Sequence, residues 1–239
     1  MNYALSVLDW LAIAPGLSSS QAWSQWASLA TTTTEFCGEI EKSQRIPMMS
    51  ARRMSTASRL AVEAGLALLE KHQIDMAVFS SRHGELERTY KILQVLAQEQ
   101  AVSPTDFSMS VHNTAAGWMT ITAKNTLPVT SLAAGLDSFQ QAMVEARAML
   151  AVEGVKKVLL VDFDGAVPAI YGAEANTPGF PYCVALVLTL GEQLECRQVN
   201  TQRIDSLPQS LTFLRHWLLK STEFVIGADT HHWQWKRAE

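Results

Sequence analysis

Apolar positions recur along this chain with two different periods. Short, nearly continuous apolar runs at ALSVLDWLAIAP, DMAVFSS, PVTSLAA and KKVLLVDF predict strands. Between them the spacing shifts to three and four residues. In MSARRMSTASRLAVEAGLALLEKH, the residues Met54, Ala57, Ala61, Ala64 and Leu68 share one helical face. In HGELERTYKILQVLAQ the face is Leu86, Tyr90, Leu93 and Leu96, and in GLDSFQQAMVEARAMLAVEG it is Leu136, Phe139, Met143, Ala146 and Leu150. Further helices are expected at SSQAWSQWASLA, TAAGWMTITAK and LPQSLTFLRHWLLK, with a last strand at EFVIGA. FSMSVHN reads as extended, and TTTTEFCGEIEKSQRIP as a polar surface loop. PYCVALVLTL and ECRQVNTQ are expected to form a hairpin across Gly191. Strands that alternate with helices, followed by a late antiparallel hairpin, predict an α/β fold with a mostly parallel sheet. No repeat or linker divides the chain, so residues 1–239 read as a single domain.

Composition narrows the picture. The chain has 239 residues, 48% of them hydrophobic and only 18% charged, so a large core is possible and part of the apolar surface has room for a covering partner. Net charge is −4 with no dense basic cluster, so nucleic acid is not an expected partner. Cys37, Cys183 and Cys196 have no paired spacing; they fit neither a disulfide framework nor a zinc site, and they suit a reducing compartment. The N-terminus lacks a basic leader region and carries Asp9 inside its apolar run. No stretch approaches the roughly 20 apolar residues of a membrane span. A cytoplasmic location, with no cofactor and no membrane span, is the expectation.

One motif invites a catalytic reading. KKVLLVDFDG ends a buried strand in Asp-x-Asp-Gly, which resembles the first motif of haloacid-dehalogenase-type phosphatases, with Asp162 as nucleophile and Asp164 as acid beside magnesium. That chemistry also needs a downstream lysine and a later acidic pair for the metal. The later acids are Glu174, Glu192, Glu195, Asp205, Glu223, Asp229 and Glu239, no two of them adjacent. The motif also comes late, with about a third of the chain left. A buried strand that ends in a polar turn accounts for the same residues. His231 and His232 lack a third metal ligand, and THHWQWKRAE reads as surface or docking sequence.

Taken in order, several segments resemble the N-terminal half of β-ketoacyl synthases, the thiolase-like condensing enzymes. RIPMMSARRMSTASRLAVEAGLALL resembles their Arg-Arg-Met-Ser helix, and VFSSRHGELERTYKIL their strand, small-residue turn and glycine. SMSVHNTAAGWMTI resembles their Asn-x-x-Ala-Gly helix through Asn113, Ala116 and Gly117. SLAAGLDSFQQAMVEARAML resembles the strand-to-helix elbow, KKVLLVDFDGAVP the strand that closes the half, and YCVALVLTLG the Ala-x-x-Leu-x-Leu strand. The resemblance covers nearly the whole chain. It implies a thiolase-like half-fold: a mostly parallel five-stranded sheet with helices on both faces.

The resemblance also shows what is missing. Condensing enzymes place a cysteine at the elbow, where a helix N-terminus lowers its pKa and the thiolate takes the acyl chain. Here the elbow is PVTSLAAGL, and the cysteine position, counted from Gly135, falls on Leu132 or Ala133. Ser131 has no evident base nearby. The two catalytic histidines of the family come from a second half that this chain does not match, and His83 and His112 do not stand in its histidine motifs. The resemblance is closest to short, inactive partners of a true synthase, akin to chain length factors, in clusters for aryl polyene pigments. It implies a heterodimer or higher assembly with a full-length β-ketoacyl synthase, and an acyl carrier protein reached through that partner. In such dimers the segment ahead of the elbow lies at the two-fold interface. PTDFSMSVHNTAAGWMTITA occupies that place, so Phe107, Met109, Val111, Asn113, Trp118 and Met119 are the candidate partner and acyl-tunnel residues. Ser131, Leu132, Ala133 and Gly135 form a degenerate elbow. Pure scaffolding of the synthase and a magnesium-dependent phosphatase are the alternatives.

Overall fold

The computed structural model describes residues 2–29, 36–171, 179–200, 205–228 and 232–238. The chain opens with strand β1 (Asn2–Ile13) and helix α1 (Ser20–Ser28). The segment expected as one long helix is split into α2 (Met48–Ala51) and α3 (Thr56–Lys71). The split falls at Ser55, whose hydroxyl accepts from the Ser58 amide and so starts a new helix. Strand β2 (Met76–Ser80) and helix α4 (Leu86–Ala97) follow as expected. The stretch read as extended instead begins with helix α5 (Pro104–Ser108), because Ser103 caps the Asp106 amide and Pro104 fits a first helical turn. Next come α6 (Thr114–Ala123), β3 (Val129–Leu132), α7 (Ser138–Met149) and β4 (Val158–Asp164). The chain then runs through β5 (Tyr182–Val199), α8 (Gln209–Leu218), β6 (Glu223–Ile226) and β7 (His232–Arg237).

Among the described residues the strands form one seven-stranded sheet in the order β3-β2-β4-β5-β7-β6, with β1 beside β5. The α/β class holds, with two strands more than the five expected. The parallel part is smaller than the strand–helix alternation suggests: β3, β2 and β4 run parallel, and the remaining pairings are antiparallel. There is no hairpin across Gly191. Tyr182–Val199 is one strand that pairs with β1 along its length, while β4 and then β7 flank its other side. Gly191 is a site of close approach: a Cβ there would lie 2.0 Å from the Ser6 hydroxyl, at the point where the β1 register shifts. The antiparallel hairpin comes later, as β6 and β7. The Trp-rich tail is therefore core rather than surface in its described part, with Trp233 and Trp235 fully buried; His231 lies outside the described residues.

Helices cover both faces. On one, α3 and α6 pack on Ala77, Phe79, Leu159, Val161 and Phe163. On the other, α1, α7 and α8 pack on Val78, Val158, Leu160, Val184 and Leu186. Every residue of β4 is buried, which is why its sequence shows no alternation. Helix α4 is the exception to this layering: none of its residues is buried, and Arg88 and Lys91 tie it to α5 through Asp106. No helix among the described residues is long and apolar enough to cross a membrane.

Candidate functional site

The three parallel strands end together. In register, Ser80 of β2 stands beside Leu132 of β3 on one side and Asp162 of β4 on the other. The carboxyl ends of parallel strands are where α/β folds present chemistry. Here that edge carries the elbow after β3, the turn Ser81–Gly84 after β2, and the two aspartates of β4. The Ser81 amide donates to the Leu132 carbonyl at 3.2 Å, so the turn and the elbow are joined.

The segment after β3 turns sharply into α7. Strand β3 stops at Leu132, and Ala133, Ala134 and Gly135 are exposed. Residues Gly135–Asp137 form a 3₁₀ turn, and α7 follows at once. The Ser138 hydroxyl accepts from the Ala134 amide at 2.9 Å and donates to the Gly135 carbonyl at 2.8 Å, which pins the bend. Asp137 accepts from Gln209 and Trp233, which ties the elbow to α8 and β7. Leu132 is half-buried and Ala133 exposed at this turn. Ser131, one position back, is half-buried in mid-strand. The cysteines stand elsewhere: Cys183 and Cys196 are buried on β5, and Cys37 is exposed between α1 and α2. Burial holds both buried thiols protonated, with Cys196 pushed up to about 12.

Asp162 and Asp164 lie on the same face of β4, and each is only 3% exposed. Asp162 accepts from the Ser80 hydroxyl at 2.6 Å. Asp164 accepts from the Ser81 hydroxyl at 2.6 Å, the His83 amide at 2.9 Å and the Arg82 amide at 3.2 Å. The Tyr182 hydroxyl faces both carboxyls, at 3.4 and 3.5 Å. Burial raises both acids above the usual carboxylate range, Asp162 to about 7. This geometry excludes the phosphatase reading. A nucleophilic carboxylate must face a phosphate, and both of these are sealed beneath a turn. No group of three or more His, Cys, Asp or Glu able to hold a metal occurs among the described residues; Glu174 and Asp229 lie outside them.

The proposed partner residues separate into two sets. Phe107 is 70% exposed, and Val111 and Asn113 are exposed beside it. Met109 and Trp118 are half-buried and touch each other, with Trp118 Nε1 3.1 Å from Met109 Sδ. Ile121 is also exposed on α6 and was not singled out from sequence. Met119 points the other way, into the core, where its sulfur packs against Gly65 of α3.

Strand β3 borders this surface and is the outermost strand of the sheet on its side. Pro128 and Leu132 turn their carbonyls to β2, accepting from Ala77 and Ser81. By alternation Val129 and Ser131 turn their backbone groups outward, to an edge with no strand beyond it among the described residues.

Residues 23–236 match the family described as beta-ketoacyl synthase, N-terminal domain. Comparison with curated protein sequences gives no match. Among solved structures, the chain is similar to one from the ketosynthase ApeO in complex with its chain length factor ApeC from Xenorhabdus doucetiae. That similarity has a TM-score of 0.93 and 47% identity over 98% of this chain and 100% of that one. The ishigamide ketosynthase/chain length factor is similar at TM-score 0.65 and 16% identity, over 82% of this chain and 67% of that one. A chain of the AntDE:AntF complex, a type II polyketide acyl carrier protein with its ketosynthase, is similar at TM-score 0.69 and 10% identity over the full length of both. The last two likenesses concern the fold alone.

Proposed function

Because this chain belongs to the beta-ketoacyl synthase N-terminal domain family, we propose that it is a non-catalytic, chain-length-factor-like subunit. It pairs with an active β-ketoacyl synthase in the assembly of an aryl polyene or a similar fatty-acid-like polyketide. What supports this reading is an intact strand–turn–helix with no cysteine between Val129 and Ser138, where the resemblance puts Leu132 or Ala133 at the cysteine position. A fold kept whole around a missing nucleophile serves a role other than attack. The 47% identity to a chain of a ketosynthase–chain length factor complex, over 98% of this chain and 100% of that one, points to what that role is.

The open edge of β3 and the apolar surface next to it supply the docking face. The outward backbone groups of Val129 and Ser131 can continue the sheet into a partner strand, and Phe107, Val111 and Ile121 can bury against it. A stable pair buries about 1,200–2,000 Å² in total, which requires more than the edge strand and so draws in α5 and α6. Phe107 and the Trp118–Met109 pair stand where a bulky side chain can block a growing acyl tail. The acyl carrier protein then meets the partner's cysteine, and this chain sets where elongation stops.

The test is co-expression with the ketosynthase of its own source, followed by product analysis. The two proteins should purify together, and Phe107→Ala with Trp118→Ala should lengthen the product. An intact pair with unchanged product length would leave a scaffold. A chain that purifies alone from the mixture would contradict the reading.

A further inference from the structure

The buried aspartate of β4 that sequence offers as a catalytic acid has a different task. Asp164 gathers the Ser81 hydroxyl and the amides of Arg82 and His83 around one carboxylate. The Ser81 hydroxyl in turn accepts from the Gly84 amide at 2.7 Å, which closes the turn. This turn touches the segment ahead of α6 at two points. His112 Nε2 lies 3.0 Å from the Ser81 carbonyl oxygen, so that nitrogen carries the donated proton. The His112 ring also rests on Gly84, where φ is +54° and a Cβ would lie 3.0 Å from His112 Cδ2. Only glycine allows both the turn and the contact. His112 stands between Val111 and Asn113, both exposed at the entrance to α6.

We propose that Asp164 is a positioning residue for the partner-facing surface: it fixes the Ser81–Gly84 turn, and the turn fixes His112 and with it Val111–Asn113. The inference rests on the reading of this surface as the ketosynthase contact. The relay itself belongs to the chain alone. The path acts on the segment ahead of α6, since the helix itself is held by the buried Ala115 and Ala116. Phe107, Val111 and Asn113 are exposed, and no side chain caps the first turn of α6. A carboxylate bonded by three converging donors, inside a site shielded from water, holds a loop more firmly than neutral contacts do. The same carboxylate joins the turn to β4, and the Ser81 amide joins it to the elbow carbonyl of Leu132. The elbow and the partner surface therefore share one support.

The test uses the full chain, free and paired with its ketosynthase. Asp164→Asn, His112→Ala, His112→Gln and a control, Phe224→Leu, at the far edge of the sheet, are compared by amide hydrogen exchange and by partner affinity. Asp164→Asn and His112→Ala should each speed exchange at residues 111–117 of the free chain and weaken the pair, each by about five- to tenfold, the scale of one lost hydrogen bond. The double variant should be little worse than either single one, because both cut the same path. His112→Gln, whose amide can still donate to the Ser81 carbonyl, should keep most of the affinity. Phe224→Leu should lower global stability without changing exchange at 111–117. Should Asp164→Asn fail to fold, the two His112 variants still decide the matter, since His112 is half-buried and outside the core. Unchanged protection at 111–117 in His112→Ala would overturn the relay. Faster exchange there with unaltered affinity would overturn the assignment of this segment to the partner.

Discussion

Asp162 makes its own pH dependence. Its carboxyl is buried beside Asp164, Tyr182 and Cys183, with Ser80 and Ser210 as neighbouring hydroxyls, and burial pushes it up to about 7. In the unfolded chain the same group titrates at about 4. Below that pH both states hold the proton and Asp162 contributes fully. Between about 4 and 7 the folded chain keeps a proton that the unfolded chain has lost, so stability falls as pH rises. The steepest slope for one such group is about 1.4 kcal/mol per pH unit, and above 7 it levels off. Asp9, Asp75 and Asp106 are held below the usual range and lose their contribution only at lower pH, outside this window. Burial raises Asp164 and Glu85 in the same direction, so denaturant titrations from pH 5 to 8 should show declining stability, and Asp162→Asn should make the decline shallower. A wild-type profile already flat over that range would show that Asp162 is ionised throughout. At this scale the sequence says that Asp-x-Asp-Gly ends a strand, and no more. The donors that give the acids their meaning, Ser80, Ser81 and the amides after them, lie about eighty residues upstream, and only the parallel pairing of β2 with β4 brings them in.

Gly191 shows how an element is misread. A glycine between two apolar runs is the ordinary mark of a turn, yet here it lies inside an 18-residue strand. The signal that separates the two cases is on another strand: Ser6 of β1 fills the space that a side chain at 191 would take. Gly191→Ala should cost about 1–3 kcal/mol of stability by overpacking. Ser6→Gly in the same chain should recover most of that loss, because the two sites share one space. Equilibrium unfolding of the single and double variants measures both effects; a neutral Gly191→Ala would contradict the close approach. The elements that were legible have a strong period and a core on one side, such as α3 with Ala57, Ala61, Ala64 and Leu68 buried in a row. Trp233 and Trp235 do alternate, as strand residues facing one side of a sheet should, but the segment is short and flanked by charge and so resembles a tail. FSMSVHN failed for a local reason: the Ser103–Pro104 start of α5 lies just upstream of the stretch read as extended.

At the scale of the molecule, the order of segments was more informative than any one of them. Strand, helix, elbow, helix and closing strand follow the thiolase-like half-fold, and the family match covers residues 23–236. The docking face was only half legible. Of the residues proposed for it, Phe107, Val111 and Asn113 are exposed, whereas Met119 faces the core, because helical spacing alone does not say which side of α6 meets α3. The open edge of β3 could not be read from sequence at all, since edge position is a property of the whole sheet. What the sequence does state without ambiguity is the lack of sulfur between Val129 and Ser138. The most direct measurement is a condensation assay with carrier-bound primer and malonyl unit, run on the isolated chain and on the chain with its ketosynthase, with intact mass recorded for both proteins. The isolated chain should gain no acyl mass and form no extended product, while the pair should elongate with the acyl group on the ketosynthase alone. An acyl adduct on this chain, or extension by the isolated chain, would contradict it.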